Sequence, residues 1–163
     1  MRHKGFSLVE LLIVMAIIAI LSSMFFMSAA ESRRSAEVTN LYNNMRNLSV
    51  AALAYYADNA GKNFGEGATD GDIIDDVKGY MQNWSSVPNP AYYHVVIDNN
   101  KAWWAVYYIK DDTANFKAKM QGRAASLGLI GSSERKPGKL PALSTKPGYN
   151  NQSFVCLLIR KER

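Results

Sequence analysis

The chain has one cysteine, Cys156, among 163 residues, so no disulfide can close within it. Proline and glycine are both missing from Phe6 to Asn59, which leaves nothing there to break a helix. Basic side chains are missing between Phe6 and Glu31, so an acid in that interval has no local cation. Histidine occurs only as His3 and His94. No nucleophile–base set, phosphate-cradling glycine loop or zinc-ligand spacing is present. These shortages exclude a disulfide scaffold and give no footing to a thiol, zinc or nucleotide-dependent enzyme. The expectation is a chain that is not an enzyme, with no cofactor and no bound metal.

What the chain does have is concentrated at its start. Arg2, His3 and Lys4 form a short basic leader that ends at Gly5. Phe6 opens an apolar run that continues to Met27, interrupted by one carboxylate, Glu10. Hydrocarbon does not solvate charge, so an intramembrane Glu is costly and marks a functional site. With no base nearby, its partner must come from another molecule or be created by cutting the chain. A secretory signal would explain the basic residues, with Ser28-Ala29-Ala30 as the cleavage site, but the run is too long and contains Glu10. A plain membrane anchor needs about 20 apolar residues and explains the length, but neither Gly5-Phe6 nor Glu10.

From Met1 to about Ala30 the segment resembles the N-terminus of type IV pilins and type II secretion pseudopilins. The resemblance implies cleavage after Gly5 by a prepilin peptidase and N-methylation of the new terminus at Phe6. It also implies that Glu10 meets the terminal amine of a neighbouring subunit during assembly. The physics agrees, because cleavage creates the missing cation and pairing lowers the cost of burying both charges.

Beyond the membrane run, Val38, Leu41, Tyr42, Met45, Leu48, Ala52, Tyr55 and Tyr56 recur at spacings of three and four. This stripe extends one helix over about 6–59, some 80 Å long at ~1.5 Å per residue. Arg33, Arg34, Glu37, Asn40, Asn44 and Asn47 are expected on its opposite face. Asp70 to Met81 reads as a short amphipathic helix, capped by its early aspartates, with Ile73, Ile74, Val77, Tyr80 and Met81 inward. A calcium loop is the alternative there, but the acid spacing does not match one. Residues 91–97 and 102–109 read as a hairpin around Asp98 to Lys101. A helix follows over about 113–127, capped by Asp111 or Asp112, with Phe116, Met120, Ala124 and Leu127 inward. Gly128 to Gln152 reads as a long loop and Ser153 to Lys161 as the last strand, burying Cys156. The fold class is α+β. The resemblance makes it pilin-like, a long N-terminal helix packed on a small antiparallel β-sheet with short extra helices. The divisions are a leader at 1–5, a transmembrane or filament-core helix at 6–30 and a globular head at 31–163.

The head carries two further patterns. In the doublets Tyr92-Tyr93, Trp103-Trp104 and Tyr107-Tyr108, alternation sends one member to each sheet face. The outer members would form either cross-strand packing or a stacking platform for bases or sugars. His94 is expected as a surface or cross-strand residue. Acids dominate from Asp58 to Asp98, seven against two bases, while ten bases face two acids from Thr113 to Arg163. That asymmetry suggests a head polarised in charge, able to attract neighbouring heads or an anionic partner such as DNA.

The expected function is a structural subunit of a type IV pilus-like filament. The partners implied are other copies in a helical homo-oligomer, the prepilin peptidase, an assembly platform with its ATPase, and the inner membrane before assembly. The precursor would be single-pass with its head outside the cytoplasm, and the product a cell-surface filament. Alternatives are a minor type II secretion pseudopilin, a competence pilin that takes up DNA, and a membrane-anchored binding domain that never polymerises. Major pseudopilins bind calcium in a C-terminal loop, whereas Gly131 to Ser153 here contains only Glu134.

Overall fold

The structure, a computed structural model, describes residues 6–59, 71–98, 102–110, 114–133, 148–149 and 152–161. One helix, α1, runs Leu8–Asp58 without interruption. The chain divides into two compact units, Met1–Glu37 and Val38–Arg163. The first consists, among the described residues, of the apolar part of α1 and its polar continuation. The second holds the rest of α1, a short helix α2 (Ile74–Val77), strands β1 (Tyr93–Ile97) and β2 (Ala102–Tyr108), helix α3 (Ala114–Ala124), and strands β3 (Ile130–Ser132) and β4 (Phe154–Lys161). This is the α+β, pilin-like layout expected.

The sheet is antiparallel throughout, in the order β1-β2-β4-β3. Side-chain alternation splits it cleanly. Tyr93, Val95, Trp103, Ala105 and Val155 face α1 and pack with Val38, Leu41, Met45, Leu48, Ala51 and Ala52. The stripe read from the sequence is therefore the face α1 presents to its own sheet. Met45 and Leu48 are fully buried, and each such side chain contributes about 1.5–3 kcal/mol by leaving water. Asn44 is a correction: it is half-buried at the stripe's margin, where its Nδ2 donates to the Tyr93 hydroxyl at 3.2 Å. The other sheet face gathers Val96, Ala102, Trp104, Val106 and Cys156 into a second buried cluster.

A register shift between Trp103 and Trp104 places Trp104 opposite Leu158 but Trp103 opposite Arg160. Ile159 is the extra residue of a β-bulge, and Ile159 and Arg160 both turn towards α1. The Arg160 guanidinium then lies 3.7 Å from the centre of the Tyr56 ring.

Several local expectations are corrected. The stretch after Asp70 is not one helix. α2 spans a single turn and continues as a 3-10 turn over Lys78–Tyr80. Ile73 and Val77 are buried, but Tyr80 stays exposed, meeting Tyr55 edge-on at 5.7 Å. Asp70 lies outside the described residues, as do Asp111 and Asp112. Pro90–Tyr92 forms a 3-10 turn, so the hairpin begins at Tyr93. β3 lies inside the expected long loop, where Gly131 breaks any alternation; its edge is bridged by Gly148 through bonds from Gly131 N and to Leu129 O, each 2.9 Å. α3 agrees with expectation, with Met120 and Ala124 buried. It ends in a Schellman turn at Gly128 (φ 69°), where Leu129 N donates to Ala124 O at 2.9 Å.

Candidate functional site

α1 begins with a reciprocal cap. Glu10 N donates to Ser7 Oγ at 3.2 Å, and Ser7 N donates to Glu10 Oε2 at 2.8 Å. This is a capping box: it satisfies two N–H groups that the first turn would leave without partners. The sequence reading missed it, although Ser-x-x-Glu ahead of an apolar run is its written form. The cap folds the Glu10 carboxylate back towards the start of the chain and occupies one of its oxygens with the helix's own backbone.

Around that carboxylate the helix is apolar on every side. Among the described residues, exposures of the large apolar side chains of this segment run from 46% at Val14 to 79% at Leu8. Ser23 Oγ donates to Ile20 O at 2.7 Å, so its hydroxyl needs no water. α1 is long and apolar enough to cross a membrane. Phe6 is 84% exposed, and Gly5 lies outside the described residues.

Residues 1–26 match the family model of the prokaryotic N-terminal methylation motif. This is the prepilin-type motif of type IV pilins and pseudopilins. Searches of curated proteins and of solved structures return no match. The prepilin motif covers Gly5, Phe6 and Glu10 together, and it belongs to proteins of structural, pilin type. It implies processing by prepilin peptidase and pilus assembly, and the apolar helix fits a membrane-anchored precursor.

The outer aromatic rings and Cys156 are packed within the head. Trp104 and Tyr108 do face away from α1, as alternation requires. The outer rings of Tyr92 and Tyr108 meet at 85° and 5.8 Å, and those of Tyr108 and Phe154 at 46° and 5.2 Å. Rings tilted into one another pack well but offer no coplanar platform for bases. Cys156 is fully buried, and desolvation pushes its thiol up to about 12, far from the range of a working nucleophile.

His94, expected as a surface or cross-strand residue, lies in β1 opposite Val106 and is buried rather than on the surface. Its Nδ1 lies 2.6 Å from Asp72 Oδ2, with both side chains nearly buried. Asp72 Oδ1 also accepts from Ile74 N at 3.1 Å and Val95 N at 3.2 Å. Ile73 N donates to Val95 O and Ile97 N to Gly71 O, so residues 71–73 strap the free edge of β1. No sequence signal joins Asp72 to His94, because they meet only through this pairing.

The charge pattern is also rearranged. Arg123 Nη1 donates to Thr39 Oγ1 at 2.8 Å, holding α3 to α1. β4 returns Arg160 to Tyr56, while Asp76 acts on neighbouring Tyr55, whose phenol is raised first by burial and then by that carboxylate. Among the described residues, one cation and one anion therefore meet adjacent tyrosines of α1. Of the basic residues put forward for DNA, Arg135, Lys136, Lys139, Lys146 and Arg163 lie outside the described residues. Among the described residues, no three His, Cys, Asp or Glu side chains cluster as a metal site.

Proposed function

We propose that this protein is the structural subunit of a type IV pilus-like filament. It enters the inner membrane as a single-pass precursor with its head outside the cytoplasm. Prepilin peptidase cuts after Gly5, Phe6 is N-methylated, and a platform protein with its ATPase feeds subunits into a helical homo-oligomer. Burial of the apolar helices drives assembly, and Glu10 sets register by pairing with the Phe6 amine of a neighbour.

One observation carries the reading: the prepilin motif sits on a helix whose large apolar side chains stand exposed among the described residues, with one carboxylate at its capped start. A membrane accounts for the apolar surface alone. A partner that brings an amine accounts for the carboxylate as well, since a buried charge needs a counter-charge.

Mass spectrometry of the native protein tests the processing. Its N-terminal peptide should begin at Phe6 with one methyl group. An intact Met1, or a start near Glu31, overturns the reading. Electron microscopy of cells expressing the chain should show filaments; a processed protein that never leaves the membrane would instead be an anchored binding domain.

A further inference from the structure

Two charges of opposite sign flank the end of α1. Tyr55 and Tyr56 are consecutive, so they leave the helix about 100° apart. Tyr56 meets the Trp103 ring edge-on at 5.5 Å and carries the Arg160 guanidinium 3.7 Å from its centre. Tyr55 meets Tyr80, and Asp76 of α2 is near enough to act on its phenol. The sheet holds the two charges apart. Ile73, the residue before α2, donates to Val95 O on the outer edge of β1, while Arg160 is on β4, beyond β2. β1 and β4 are two strand spacings apart, ~10 Å.

Among the described residues, Asp76 has no cation within ion-pair reach and Arg160 no carboxylate, while the neighbouring Asp75 is taken by Lys78. Asp76 is exposed and Arg160 half-buried. Stacking on Tyr56 covers one face of the guanidinium and leaves the N–H donors at its rim to meet a carboxylate. It also restrains the long side chain in advance, which lowers the ordering cost of a contact. A second copy supplies both missing partners. Each copy offers a cation on one flank and an anion on the other. A contact between two unlike patches runs head to tail, so it continues from copy to copy instead of closing a pair.

We propose that Arg160 of one copy pairs with Asp76 of the next. This rests on the filament reading above and adds to it a contact between heads. An exposed ion pair is weak, so this one selects the neighbour and its rotation, while burial of the apolar helices drives assembly.

The test uses the full chain in cells. Arg160→Asp and Asp76→Arg should each leave cleavage after Gly5 and membrane insertion unchanged. Each should cut filament number about tenfold or more, because like charges then face each other at every contact. Co-expressing the two variant chains should restore filaments that contain both, since every contact between unlike chains again joins opposite charges. That rescue also shows that each variant folds, and a role confined to one head would not give it. Normal filament number from either single variant overturns the contact and leaves the filament reading intact. Failure of the co-expressed chains to assemble, while the unaltered chain does, has the same consequence. No filaments from the unaltered chain, despite processing, overturn the filament reading and the contact with it.

Discussion

Ser7 and Glu10 close a reciprocal pair of hydrogen bonds at the start of α1, at 3.2 Å and 2.8 Å. The carboxylate that the filament reading assigns to a neighbour's amine is thus already held by its own helix through one oxygen. Holding it in one rotamer lowers the ordering cost of meeting a partner. The other oxygen is the acceptor available to the amine.

Glu10→Gln separates these two roles. Glutamine retains the capping box, because its side-chain oxygen accepts the Ser7 N–H as glutamate does. It deletes the charge. In a lone anchor the change is tolerated, since an ionised carboxylate is the costlier guest in hydrocarbon. In an assembling subunit the neighbour's amine loses its counter-charge at every addition. The variant should accumulate in the membrane, cut after Gly5, with few filaments by electron microscopy. Normal filament number and length would show that the Glu10-to-amine contact does not operate.

Asp72→Ala should be among the most destabilising changes in the head. It leaves the imidazole of His94 and the N–H groups of Ile74 and Val95 without this acceptor. Leaving a buried donor without its acceptor costs about 1–3 kcal/mol for each such group. The residues strapping β1 should loosen with it. Denaturant unfolding in detergent micelles measures the first, and faster amide exchange at Ile73 and Ile97 the second. A loss below about 1 kcal/mol, the scale of an ordinary surface change, would refute the latch.

Two glycines should respond with opposite sign. Gly122 lies in α3 with nothing near its missing Cβ, so Gly122→Ala should stabilise by about 0.5–1 kcal/mol through helix propensity. Gly128 also has open space, but its φ is 69°, so Gly128→Ala should cost about 1–2 kcal/mol in backbone strain. Thermal unfolding of both variants checks the signs.

Alkaline pH should destabilise the head through groups buried neutral. Desolvation pushes Cys156 to about 12, and desolvation with the neighbouring phenols of Tyr93 and Tyr92 pushes Tyr107 to about 12. Unfolded, these groups lose protons at ~8.5 and ~10. Their contribution is complete below those values and is lost as pH rises from about 9 towards 12, because the unfolded chain then binds fewer protons than the folded one. Denaturant midpoints should fall across that window. Iodoacetamide at pH 8 should label Cys156 only after unfolding; rapid labelling of the folded protein would contradict its burial.

Most of the architecture was legible because it is periodic. The stripe from Val38 to Tyr56 repeats over many turns, and propensity agrees with it throughout. β2 and β4 were legible from their β-branched and aromatic content. β3 was not, since three residues centred on Gly131 carry no period; it is a strand because Phe154, Val155 and Cys156 offer it an edge. α2 starts no earlier than Ile74, since Asp72 is held by His94 and Val95, and that contact is non-local. At the N-terminus the cap is legible in the sequence too, since Ser7 and Glu10 have the Ser-x-x-Glu spacing of a capping box.

The sequence alone determined the N-terminal segment: a basic leader, Gly5-Phe6, an apolar run and one unpaired acid are local features whose meaning depends on hydrocarbon and on chain order. It also determined the unbroken helix, because nothing between Phe6 and Asn59 interrupts it. Only the tertiary structure decided which side chains of the head meet. Antiparallel pairing brought Arg160 back to Tyr56 and Asp72 to His94, so side chains far apart in the chain became neighbours. It also separated Val50 and Leu53 from their buried neighbours Ala51 and Ala52. In a run where every residue is apolar, periodicity cannot say which face is inward. The sheet, by covering one side of α1, made the other side a surface.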